Sequence, residues 1–93
     1  MERKNPLGEA IRLIRDQRGL PQEGIGASQS YISDVERGGK APSLEKLRKI
    51  SAAMEVHFLS ILAISCLLED PEIDLETLLE RVRAEAKTAV PSA

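Results

Sequence analysis

Ser28-Gln29-Ser30-Tyr31-Ile32-Ser33-Asp34-Val35-Glu36-Arg37-Gly38-Gly39, followed by Lys40-Ala41-Pro42-Ser43-Leu44, is the stretch on which the reading of this chain turns. Ser28 is placed to cap a short helix, Ile32 and Val35 fall on one of its faces, and Gly38-Gly39 stops it. That helix begins with small polar side chains that the apolar pattern leaves exposed. Beyond the basic Lys40-Ala41-Pro42 loop, Ser43 caps another helix, whose Leu44, Leu47, Ile50 and Met54 recur at helical spacing. Lys46, Arg48 and Lys49 sit off that stripe.

Working outward, Asn5-Pro6 supplies a capping residue and a first-turn proline for an opening helix. Leu7, Ala10, Ile11 and Ile14 continue it until Gly19. In Leu20-Pro21-Gln22-Glu23-Gly24-Ile25-Gly26, each glycine costs a helix about 1 kcal/mol relative to Ala, so at most one or two turns are expected. Downstream, residues 58–68 carry no charge and only two serines, so as a helix this run is apolar almost all round and needs cover on most faces. Asp70-Pro71 is placed to cap a last helix, with Leu75, Leu79, Val82 and Ala86 as its stripe. The final Ala-Val-Pro-Ser-Ala is expected to fray.

Composition bounds the function. Ninety-three residues, 42% apolar and 30% charged, suit one compact domain and leave no room for a two-domain enzyme. One Tyr, one Phe and no Trp leave the core to aliphatic side chains, pointing to an all-α fold. A single cysteine, Cys66, can neither close an internal bridge nor build a cysteine-based zinc site. No apolar run reaches the roughly 20 residues that span a bilayer, and the opening Met1-Glu2-Arg3-Lys4-Asn5-Pro6 lacks an apolar signal stretch. A soluble, cytoplasmic chain without membrane contact, metal or cofactor is expected. The net charge of −2 hides an asymmetry: residues 1–62 hold ten Lys/Arg against eight Asp/Glu, and residues 63–93 three against seven. The first part can approach a polyanion; the acidic part does something else.

The combination of Gln22-Glu23, Gly26-Ala27-Ser28, Tyr31-Ile32-Ser33-Asp34-Val35-Glu36-Arg37-Gly38, Pro42-Ser43-Leu44, Leu47, Ile50-Ser51, Met54 and Val56 resembles the lambda-repressor-like, Xre-family helix-turn-helix domain over about residues 7–62. The resemblance implies a five-helix DNA-binding domain over residues 1–62; the apolar pattern of residues 63–93 points separately to an extension with a C-terminal dimerisation helix. It puts Ser28, Gln29, Ser30 and Asp34 on the base-facing side of the third helix. Gln29 leads, since a carboxamide can donate to and accept from adenine together, whereas Asp34 would repel phosphates. Phosphate contacts fall to Gln22, Arg37, Lys40 and the capped helix start at Ser43. Arg15 and Glu36 occupy the positions of a structural ion pair. Between Gln22-Glu23 and Gly26 the chain lacks about four residues, roughly one helical turn of the second helix, and Pro21 stands where a Ser or Thr cap is usual. Ile25 is left to plug the core.

Taken singly, Gln29, Ser30, Arg37 and Lys40 also fit a solvated surface, and the family context is what favours DNA contact. Tyr31 reads as a half-buried packing residue, His57 as a cap or surface residue, and Cys66 as a small apolar core residue. One histidine and no nucleophile signature argue against an enzyme. Cover for the uncharged helix is expected from a second subunit, through Phe58, Ile61, Ile64, Leu67, Leu75, Leu79 and Val82. The implied function is a dimeric, sequence-specific regulator, more naturally a repressor, on two-fold symmetric double-stranded DNA. The alternative is a protein-interaction module, an antitoxin or adaptor, that binds DNA weakly or not at all and meets a protein partner through its acidic C-terminal helix.

Overall fold

Pro6 sets a helical dihedral without needing a hydrogen-bond partner for its nitrogen, and α1 runs from it as Pro6–Gln17, burying Gly8, Ala10, Ile11 and Ile14. The computed structural model describes residues 6–93, so the capping role of Asn5 and the opening segment fall outside it. Four more helices follow: α2 (Gln29–Glu36), α3 (Leu44–Met54), α4 (Phe58–Glu69) and α5 (Leu75–Ala89), with no strand among the described residues. The caps are local and sequence-encoded: Ser28 Oγ accepts from the Tyr31 N–H at 3.2 Å, Ser43 Oγ from Lys46 at 3.2 Å, and His57 Nδ1 from Leu59 at 3.0 Å.

Residues 18–28 form turns and bends, not a helix. The scaffold helix of a five-helix domain is therefore missing, and the count of five includes the C-terminal helix. The cause is Gly24 and Gly26, whose φ values of 79° and 91° lie in the left-handed region. A Cβ on Gly26 would sit 2.7 Å from the Lys49 carbonyl oxygen, so the loop backbone rests directly on α3. Ile25, between the two, is 2% exposed and plugs the core.

α1 packs along α4 and crosses α2, while α3 also packs on α4. Ile11, Ile32, Val35, Leu47, Ile50, Met54 and Ile61 fill the space between them. The crossing of α1 and α2 is close because Gly8 has no side chain: a Cβ there would overlap the Val35 carbonyl oxygen and lie 3.3 Å from Glu36 Cα.

The C-terminal part departs from expectation in several places. Ile61 is 0% exposed within this chain's own core, so it has no surface to offer a second subunit. Phe58 is half-buried against the same core, with the Arg48 guanidinium 4.2 Å from its ring centroid. Cys66 is exposed, not a core residue, because five residues beyond Ile61 turn it about 140° around the helix. Asp70 closes α4 and accepts from the Glu72 N–H; the cap of α5 is Asp74, which accepts from Thr77 at 2.7 Å. The boundary at residue 62 falls inside α4, so the two parts of the chain share a helix. No residue of α5 is buried. No single helix among the described residues is long and apolar enough to cross a membrane.

Candidate nucleic-acid interface

Because Ile32 and Val35 anchor α2 in the core, the helix turns Ser28, Gln29 and Ser30 at its start into solvent. Gln29 is nonetheless tethered, its Nε2 donating to Gln22 Oε1 at 3.4 Å. Gln22 Nε2 in turn donates to Glu36 Oε1 at 3.0 Å. Glu36 is gripped in a fork by Arg15, whose Nε lies 2.7 Å from Oε2 and whose Nη2 lies 3.0 Å from Oε1. The Arg15 Nη1 donates to the Leu20 carbonyl at 2.9 Å, fixing the end of α1 to the turn that follows.

The two ends of this chain of contacts differ in environment. The side chains of Arg15 and Glu36 are 14% and 4% exposed. The hydrogen bond to Glu36 holds the Arg15 guanidinium above its ordinary range, against the opposing effect of burial. At the other end Gln29 is exposed. The resemblance assigns Gln22 to phosphate; in the structure its amide oxygen and nitrogen are both engaged within the protein, which makes it a bridge between the ion pair and Gln29.

Asp34 lies on the same helix and is matched by cations: Arg37 Nη2 approaches Oδ1 at 2.6 Å and Lys40 Nζ approaches Oδ2 at 3.6 Å. Arg37 also donates to Ser33 Oγ at 2.7 Å. The carboxylate that would repel a phosphate is thus paired with two residues assigned to bind one. Ser43, just beyond the Lys40 loop in sequence, caps α3 with its side chain. Lys46, in the first turn of that helix, brings its ammonium 5.1 Å from the half-buried Tyr31 ring, and Lys40 brings its own to 5.5 Å. Sequence reasoning placed Lys46 merely off the apolar stripe; its signal is its position three residues after the cap, on the turn nearest α2.

Away from this face, α4 and α5 meet in a V whose floor is lined by Leu59, Ala63, Ile64, Leu67, Leu75 and Leu79. Leu59, Leu79 and Val82 remain 56%, 48% and 48% exposed. Acid–base pairs such as Arg81 Nε with Glu85 Oε2 at 2.9 Å decorate the rest of α5. Among the described residues no group of His, Cys, Asp and Glu is arranged to hold a metal ion.

Comparison with known proteins agrees with the helical fold. Residues 11–61 match a helix-turn-helix family. The immunity repressor protein of Bacillus phage phi105 is 28% identical over 79 residues, covering 81% of this chain and 55% of the repressor. The HTH-type transcriptional regulator SlrR of Bacillus subtilis (strain 168) is 40% identical over 55 residues, covering 54% of this chain and 36% of that protein. The chain therefore spans about half or less of the length of these curated relatives. No solved structure matches it significantly.

Proposed function

The chain belongs to the lambda-repressor-like helix-turn-helix family, and we propose that it is a DNA-binding transcriptional regulator that works as a dimeric repressor on a two-fold symmetric operator. The observation that carries this reading is the tethered Gln29. An exposed carboxamide at the start of a helix whose end is anchored by the Arg15–Glu36 pair, with Gln22 3.4 Å away, is presented as base readout requires. In the major groove Gln29 reads a base edge, Ser28 and Ser30 add less selective contacts, and Asp34 stays neutralised by Arg37 and Lys40. At the DNA, Arg37 and Lys40 keep their hold on Asp34 and turn their remaining N–H groups to phosphate oxygens, which supplies affinity without sequence.

Two readers on one operator need a dimer, and the apolar V between α4 and α5 supports one. Ile64, Leu67, Leu75, Leu79 and Val82 carry over from the sequence reading, with Leu59 and Ala63 in place of Phe58 and Ile61. An exposed apolar surface of this kind, rimmed by charge, suits a self-complementary contact. Selection of bound sequences from a random duplex pool tests the whole reading. A palindromic motif with half-sites about one helical turn apart is the expected result. Enrichment of a single asymmetric half-site would overturn the dimer, and no enrichment would overturn sequence-specific binding.

One observation favours a second reading, a protein-interaction module. The scaffold helix that braces the recognition helix in a complete domain is replaced here by turns at residues 18–28. If that weakens groove insertion, the acidic α5 becomes the working surface. Retention on mixed-sequence DNA that falls steeply with salt separates the two, because only phosphate contacts release counterions.

A further inference from the structure

We propose that Tyr31 is a positioning residue that gathers Lys40 and Lys46 into a two-ammonium seat for one backbone phosphate of DNA. The proposal rests on the DNA-binding reading above and deepens it. Tyr31 stands in α2, Lys40 in the following loop and Lys46 in the first turn of α3, yet both ammonium groups lie against the one ring, 5.5 and 5.1 Å from its centroid. Two like charges drawn to one half-buried ring repel each other, and the ring's attraction for each is of the same modest order. Stability alone gains little from such a grouping. An anion that binds both ammonium groups turns the repulsion into attraction.

Lys40 shares the Asp34 carboxylate with Arg37, and Arg37 holds it at 2.6 Å against 3.6 Å for Lys40. The Tyr31 N–H is committed to Ser28 Oγ, which fixes the backbone bearing the ring at the start of the helix that carries Gln29. A phosphate seated on the two lysines would therefore set the register of α2 along the duplex. That gives Tyr31 a function beyond packing: it converts two flexible side chains into one site of defined position. It also brings Lys46, unassigned by the resemblance, into the interface.

The test uses the full chain and a mixed-sequence DNA duplex, with affinity measured across a series of salt concentrations. Lys40→Ala and Lys46→Ala should each reduce the salt slope by about 0.9, the loss of one phosphate-binding cation. Tyr31→Leu should weaken binding about five-fold, as expected for loss of an exposed cation–π arrangement, while Tyr31→Phe, which keeps the ring, stays within about two-fold of wild type. In a chain already carrying Lys40→Ala and Lys46→Ala, Tyr31→Leu should add almost nothing, since its effect runs through those lysines. A merely structural Tyr31 would weaken binding equally with or without them, and that result overturns the proposal. So does an unchanged salt slope for Lys46→Ala in a wild-type background that binds DNA, which leaves the DNA-binding reading intact. A wild-type chain with no salt-dependent binding removes both. Should Tyr31→Leu fail to fold, proton resonances decide: ring proximity shifts the ε-methylene protons of Lys40 and Lys46 upfield in the wild type and in Tyr31→Phe, and unshifted resonances would refute the seat.

Discussion

Residues 6–62 and residues 63–93 are both largely helical, but every buried apolar side chain among the described residues lies in the first stretch, from Ala10 to Ile61, and none in the second. The first part is held by non-local contacts: α1 on α4, Gly8 against Val35, Arg15 against Glu36. In the second part α5 relies on the Asp74 cap and on pairs one turn apart such as Arg81 with Glu85, contacts that specify a helix and say nothing of where it packs. An isolated helix of this length is marginal in water, so α5 needs a surface to lie against. The contrast separates what a chain secures within itself from what it leaves for a partner.

The largest effect is expected from striking the first region at Glu36. Glu36→Ala would leave the largely buried Arg15 guanidinium with the exposed Asp16 carboxylate at 3.4 Å in place of Glu36, at a cost of up to about 3–5 kcal/mol, and would also release Gln22. A large fall in melting temperature together with weaker DNA binding is the expected pair of results. Unchanged stability with lost binding would mean that Glu36 acts at the DNA and not as an anchor. Gly8→Ala comes next, because the new methyl meets backbone at Val35 and α1 must move off α2. A loss of about 1–3 kcal/mol follows from that overpacking, and a melting temperature equal to wild type would show that the helix crossing is looser than described.

The second region should respond in the opposite way. Leu79→Glu places a charge on the exposed wall of the α4–α5 V, so unfolding of the first region should shift by no more than about 0.5 kcal/mol. What changes is assembly: light scattering at about 50 µM should find the wild type dimeric and the variant monomeric, with DNA affinity reduced about 100-fold through lost bivalency. A wild-type monomer at that concentration defeats the dimer and moves weight to the interaction-module reading. A variant whose melting temperature falls as far as that of Glu36→Ala would show instead that α5 is integral to the core.

Which features the sequence disclosed follows the same division. Ser28, Ser43 and His57 were legible as caps because a cap is decided within a few residues, and Ile25 because an isolated apolar side chain between glycines has few other uses. Arg15 and Glu36, 21 residues apart, were connected only through resemblance to a family. Gly8 gave no signal, since a glycine inside a helix looks like a local cost until the carbonyl it makes room for is known. Ile61 looked like one more apolar residue on an all-apolar helix; only the placement of α1 and α3 decides that its side faces inward. Lys46 was hidden for the reverse reason, its ring partner belonging to another helix.

The smallest effect isolates the local physics of α5. Asp74 was overlooked in favour of Asp70, because Asp70-Pro71 mimics a helix start, yet Leu75 is the first helical residue and Asp74 precedes it. The Thr77 backbone N–H, followed by its hydroxyl, holds the Asp74 carboxyl below its usual range. A carboxylate depressed in the folded state stabilises it at pH values above the unfolded carboxylate range, and that contribution disappears as pH falls through the lower folded value. Acid should therefore fray the start of α5 while the first region stays folded. The Thr77 amide proton shift reports it directly: its titration midpoint should fall below that of an unstructured aspartate, and Asp74→Asn, which keeps an oxygen cap but cannot titrate, should abolish the step. A midpoint at or above the ordinary carboxylate value would show that the cap is not formed in solution, and the start of α5 would then have to be sought elsewhere.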